Sequence, residues 1–232
     1  MKKRFFEIDA ARGAAVVLMI LFHAAFDANY FGVYRLDLGW VFWFLFPRLI
    51  ASVFIILAGV SLTLNYNSSK KGFEKRIFRR GMVIFSFGLV ITAITYLFLP
   101  KGAIFFGILH FMGISAIMAI PLVKMRKKAL LLGIASLLAG GYLQTVDVNF
   151  PWLLWLGLMP ENFYTFDYFP IFPWFGLMLS GIFAGNKFYA GGRRKFKIKE
   201  RPARLLTFLG RNSLVIYLVH QPLLAALILV LR

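Results

Sequence analysis

The chain has 232 residues, no cysteine, 60% hydrophobic residues, 27 basic against 9 acidic side chains and a formal charge of +18; its mean hydropathy is +0.77. A soluble domain is only about 45–50% apolar, so this composition excludes an ordinary soluble fold. The absence of cysteine excludes a disulfide framework, a thiol nucleophile and a Cys-ligated metal.

Apolar runs of about 20 residues, the length that crosses a hydrocarbon core of about 30 Å, recur along the chain. They lie roughly at 10–30, 40–65, 80–99, 103–124, 128–145, 168–187 and 205–230. The expected fold is all-α: a polytopic integral membrane helix bundle of about seven transmembrane helices, forming a single domain over 1–232. Residues 1–25 have the basic start of a signal peptide, but the apolar part is too long, so the segment reads as an uncleaved first span.

The loops orient the bundle. Lys2, Lys3 and Arg4 precede the first span; Lys70, Lys71, Lys75, Arg76, Arg79 and Arg80 follow the second; Lys124, Arg126, Lys127 and Lys128 follow the fourth. Lys187, Arg193, Arg194, Lys195, Lys197, Lys199, Arg201 and Arg204 follow the sixth, while only Arg35, Lys101 and Arg232 fall on the other side. This bias places the N-terminus in the cytoplasm and the C-terminus outside. The charge is therefore topology and attraction to lipid headgroups, not nucleic-acid binding. The expected location is the plasma membrane.

The first span, EIDAARGAAVVLMILFHAAFD, keeps charge where charge is costly. At about 100° per residue, Asp9, Arg12, Met19, His23, Asp27 and Tyr30 share one stripe, which should face the bundle interior. Asp9 and Arg12 sit at the inner interface, with Asp9 suited to capping the helix N-terminus. His23 lies roughly 16 Å further along, in the outer half. Asp27, one turn on, could orient the His23 imidazole as a general base. Arg48, His110 and His220 are expected at the same outer depth, and Ser213, Tyr217, His220 and Gln221 form a stripe on the last span. Pro222 frees the Leu218 carbonyl beside His220. Cross-helix hydrogen bonding is the structural alternative for each histidine. No HExxH-type spacing occurs, and no metal is expected.

At the inner layer, Asp9, Arg12, Arg211 and Asn212 form a candidate phosphate-binding face for a cofactor entering from the cytoplasm. The outer loop 146–169, VDVNFPWLLWLGLMPENFYTFDYF, is aromatic and Pro-broken. It reads either as an interfacial aromatic belt or as a lid in which Trp152, Trp155 and Tyr164 meet a sugar or lipid.

Several segments carry a resemblance: EIDAARG with His23 fourteen residues after Asp9, FP followed by AGVS at 46–61, GILHFMGIS at 107–115, DYFPIFPWFG at 167–176 and GRNSLVIYLVHQP at 210–222. In their order and spacing the chain resembles the DUF1624 group of membrane proteins, related to the catalytic domain of heparan-alpha-glucosaminide N-acetyltransferase. The resemblance implies transfer of an acetyl group from cytoplasmic acetyl-CoA to an acceptor on the far side of the membrane: an amino sugar, glycan or glycolipid. The eukaryotic enzyme looks to a histidine in the loop after its first span; NYFGVYRLDLGWV, the corresponding loop here, has none. His23 is the base expected from this chain's own residues, with Arg48, His110 or His220 facing the developing oxyanion. A proton-coupled transporter or flippase is the rival reading, although no inverted repeat is visible.

Overall fold

The computed structural model describes residues 5–198 and 203–231. Lys2, Lys3, Arg4, Lys199, Arg201 and Arg232 lie outside these residues. Eight α-helices occur among them: α1 Phe6–Tyr30, α2 Phe46–Ser68, α3 Phe73–Phe98, α4 Ile108–Met118, α5 Arg126–Leu143, α6 Ile171–Phe188, α7 Arg204–Arg211 and α8 Ser213–Leu231. A π-helical turn, Val41–Leu45, leads into α2 just before Pro47, whose ring nitrogen has no hydrogen to donate. Gly32, at φ +72°, turns the chain beyond α1 in a conformation that a side chain would strain.

Among the described residues four stretches are long and apolar enough to cross a membrane: Phe6–Tyr30, Val41–Ser68, Phe73–Phe98 and Ser213–Val230. The expected fourth span, 103–124, is instead the 11-residue α4 followed by turns. At 1.5 Å per residue α4 rises only about 16 Å, half a hydrocarbon core. The expected seventh span is two helices, because α7 ends at Arg211 and Asn212 leaves helical geometry. The runs at 128–145 and 168–187 become α5 and α6, of 18 residues each.

The helices form two compact units, Met1–Phe54 with Ile198–Arg232, and Ile55–Lys197. In the first unit α1 packs against α7 and α8. The α1–α7 approach depends on absent side chains. A Cβ on Gly13 would strike the Leu206 carbonyl, and one on Gly210 would strike the Asp9 carbonyl. Ala15, Met19 and Ile50 form a small core, with Phe22, Phe46, Phe54 and Tyr217 packed around it.

The second unit has the larger core, centred on Ile55, Phe111, Ile171, Met178, Leu179 and Ile182. Glycines again set the crossings: Gly59 and Gly181 between α2 and α6, Gly133 and Gly176 between α5 and α6, Gly81 and Gly113 between α3 and α4. The last turns of α2 and α6 meet the turn after α4 at one end of this unit. Asn186 donates to the Val123 carbonyl (2.9 Å) and Lys124 lies over Tyr66. At the other end the segment before α6 pairs with the segment after α3, through Phe166 N to Gly102 O and Phe169 N to Phe106 O.

Candidate functional site

The polar stripe of α1 lies inward, as its spacing requires. Asp9, Met19 and Asp27 are buried and His23 is half-buried, whereas Tyr30, the last member, is exposed. The stripe carries two clusters, one at each end of α1.

At the N-terminal end of α1, Asp9 is not the helix cap expected from sequence. The helix begins at Phe6 and its N-cap, Phe5, makes no side-chain cap bond. Asp9 instead pairs within its own helix with Arg12 (3.5 Å) and across to Arg211 of α7 (3.2 Å). Arg12 also donates to the Gly210 carbonyl, and Asn212 donates to Phe208 O within α7. Three of the four residues expected to face a cofactor phosphate, Asp9, Arg12 and Arg211, thus hold α7 on α1, with Asp9 opposing both guanidinium groups, while Asn212 only closes the end of α7.

At its C-terminal end α1 meets α8. The His23 and His220 rings stand edge to face, 4.9 Å between centroids. One turn on, Gln221 Nε2 donates to both oxygens of Asp27, at 2.8 and 3.1 Å. The expected Asp27–His23 pair is therefore replaced by Asp27–Gln221, a contact that the α8 register alone could specify. His220 is oriented differently: its Nδ1 donates to the Tyr217 carbonyl at 2.7 Å. A carbonyl only accepts, so the neutral ring carries its hydrogen on Nδ1 and leaves a lone pair on Nε2. That Nε2 is buried without a hydrogen-bond partner, as are His23 Nδ1 and Gln221 Oε1. Three unsatisfied polar atoms on neighbouring residues are costly in an apolar surrounding.

Arg48 does not join this cluster. It is exposed, donates back to Phe44 O at 2.7 Å and lies 3.5 Å from the Phe44 ring centroid. His110, in the second unit, has both nitrogens engaged. Gly107 N donates to Nδ1 (3.2 Å), so Nε2 carries the hydrogen and faces Thr92 Oγ1 (3.2 Å). Thr92 in turn donates to the Ile104 carbonyl. Saturated in this way and 2% exposed, His110 anchors the entry to α4. Its imidazole also fills the space that Gly88 leaves on α3.

Residues 4–222 match the family described as heparan-alpha-glucosaminide N-acetyltransferase, catalytic. The chain belongs to that family. No curated protein and no solved structure matches it. The match includes α1 with His23 and Asp27, and α8 as far as Gln221 and Pro222, so this acetyltransferase-family chain has its whole α1–α8 histidine cluster inside the matched span.

The loop before α6 is a folded cap of the second unit. Tyr168 donates its hydroxyl to Leu154 O (2.8 Å), and Ile171 N donates to Trp155 O (2.8 Å). Trp152 and Tyr164 are exposed, and Trp152 stacks on Phe150 at 5.5 Å. Sequence reasoning missed Asp167 in this loop. Its carboxylate accepts from Ile108 N (2.9 Å), the first helical N–H of α4, and so caps that helix from a distant segment. Burial pushes the Asp167 carboxyl up to about 6, against the opposing pull of the Ile108 hydrogen bond. The only local signal is an acid set in an apolar run, FDYFPIF.

Proposed function

We propose that the chain is an integral membrane acetyltransferase that works as one catalytic domain. It moves an acetyl group from cytoplasmic acetyl-CoA to an amine or hydroxyl of an extracytoplasmic amino sugar, glycan or glycolipid. The N-terminus is cytoplasmic in this reading, supported by the Lys/Arg bias of the loops, and the membrane is the plasma membrane.

The observation that carries the chemistry is the His23–His220 pair with a lone pair on His220 Nε2. His220, oriented by the Tyr217 carbonyl, takes the proton of the acceptor as its nitrogen or oxygen attacks the thioester carbonyl. The carbon–sulfur bond breaks, and the thiolate of CoA leaves and takes up a proton. His23 hydrogen-bonds the oxyanion that develops on the carbonyl. Asp27, held by Gln221, keeps α1 and α8 in the register that apposes the rings. Of the sequence-derived residues, Trp152, Trp155 and Tyr164 remain the proposed contacts for the acceptor.

The test is acetyl transfer by the purified protein from acetyl-CoA to amino-sugar acceptors in reconstituted membranes. We expect turnover that is lost in His220→Ala and reduced in His23→Ala. Unchanged turnover in both would remove the histidine mechanism, and no transfer to any amine or hydroxyl acceptor would remove the reaction. Flux driven by a pH gradient without acyl chemistry would point to a transporter instead.

A further inference from the structure

At the end of the second unit where α2, α4 and α6 finish, two cations converge on one aromatic ring. Tyr66, in the last turn of α2, is half-buried, and its ring stands edge-on to the buried Phe73 ring at 5.3 Å. Lys70 Nζ lies 5.9 Å from the Tyr66 centroid and Lys124 Nζ lies 5.4 Å from it. The two lysines come from separate turns, and each turn is clamped. Arg76 donates to Ser69 O and Lys71 O (both 2.6 Å), fixing the turn of Lys70. Asn186 donates to Val123 O, fixing the residue before Lys124.

Among the described residues neither ammonium has an ion-pair or hydrogen-bond partner, and the Tyr66 hydroxyl makes no hydrogen bond. The ring quadrupole attracts each cation, but the cations repel each other. Just beyond Lys124, α5 opens with Arg126, Lys127 and Lys128 and has no acid in its first turn. Cations at a helix N-terminus oppose the macrodipole. Glu74, in the first turn of α3, is the nearest acid in sequence, and among the described residues it pairs with neither ammonium; an anion placed between the lysines would offset their repulsion.

We propose that Tyr66, Lys70 and Lys124 form a subsite for a phosphorylated nucleoside, the nucleotide end of the acyl donor, with the base against the Tyr66 ring and the phosphates on the two ammonium groups. Lysine suits this as a mobile point charge that reaches a phosphate without fixed fork geometry. A lipid headgroup shares the phosphate chemistry but has no flat base for the aromatic ring. The proposal rests on the reading of the chain as a CoA-dependent acetyltransferase. It moves the donor's phosphates from the Asp9–Arg12–Arg211 cluster, where a carboxylate already opposes both arginines, to cations with no carboxylate.

The experiment titrates the full-length protein in neutral detergent with adenosine 3′,5′-bisphosphate, followed by calorimetry. Saturable binding is expected, weakened about tenfold or more in Lys70→Gln/Lys124→Gln. Tyr66→Phe keeps the ring and should keep the affinity, whereas Tyr66→Leu should not. Thermal melting of each variant checks that it folds, and Lys70→Arg/Lys124→Arg should restore binding. No saturable binding to the unaltered protein, or the same affinity in the Gln double variant, overturns the proposal. So does lysine-dependent binding of phosphatidylglycerol vesicles with none of the bisphosphate. Acetyl transfer with an unchanged KM for acetyl-CoA in the Gln double variant would overturn the subsite and leave the reaction standing. Lysine-dependent bisphosphate binding without any acetyl transfer would do the opposite.

Discussion

Replacing Gln221 by leucine isolates the contact that sets the α1–α8 register. The substitution keeps the approximate volume and removes the two hydrogen bonds to Asp27. Asp27 is 2% exposed, so water cannot take the place of the lost amide. A hydrogen bond to a charged group contributes about 1.5–3 kcal/mol, and stranding its buried partner adds to the loss. Intramembrane hydrogen bonds average nearer 0.6 kcal/mol, because the unfolded reference within the membrane also finds partners. Two bonds to one buried carboxylate therefore place Gln221→Leu about 2 kcal/mol below the unaltered protein. Asp27→Leu/Gln221→Leu removes both polar groups and should recover much of that loss, giving a coupling energy of about 1 kcal/mol or more in a double-mutant cycle. The assay is reversible unfolding in mixed micelles, by denaturant titration of tryptophan fluorescence. A Gln221→Leu protein within about 0.5 kcal/mol of the unaltered one would show that the pair does not hold the helices together.

Asp167 predicts a pH dependence. Its folded-state value of about 6 lies above the ordinary 3.8, so the folded protein binds more protons than the unfolded chain between those limits. Stability from this group is fully present below about pH 4 and is lost as pH rises through about 6, by at most about 3 kcal/mol. Asp167→Asn should flatten that slope in melting curves taken across the window, and an unchanged slope would refute the assignment. Gly13→Leu drives a side chain into the Leu206 carbonyl and should cost several kcal/mol, about 3 or more, read as loss of folded protein in detergent. His110→Ala should lower the melting temperature while leaving the KM for acetyl-CoA unchanged, because its Nδ1 accepts from Gly107 N at the entry to α4 and its Nε2 is taken up by Thr92 Oγ1 of α3. A changed KM with no change in melting would return it to the reaction.

How much of this was legible in the sequence differs by element. The inward stripe of α1 follows from the helical period alone, since buried charge on an apolar helix must turn away from lipid. His220 and Gln221 were legible as a stripe on the last span for the same reason. What those side chains touch was not legible. Spacing along α1 puts Asp27 beside His23, yet Asp27 bonds Gln221 and His23 meets His220, because the choice depends on the register of α8, nearly 200 residues away. The α4 segment is as hydrophobic as a true span, yet only 11 residues of it are helical. A buried core helix and a transmembrane helix have the same composition, and only packing separates them. His110 looked catalytic by residue type and is saturated by Gly107 and Thr92. Asp167 gave no more than an acid set in an apolar run, with nothing to name Ile108 as its partner. The sequence by itself determined that the chain is helical, apolar and asymmetrically charged, because those properties are sums over local residues. Only the tertiary structure decided which polar atoms are satisfied and which are left open, because hydrogen bonds are directional and their partners come from distant parts of the chain.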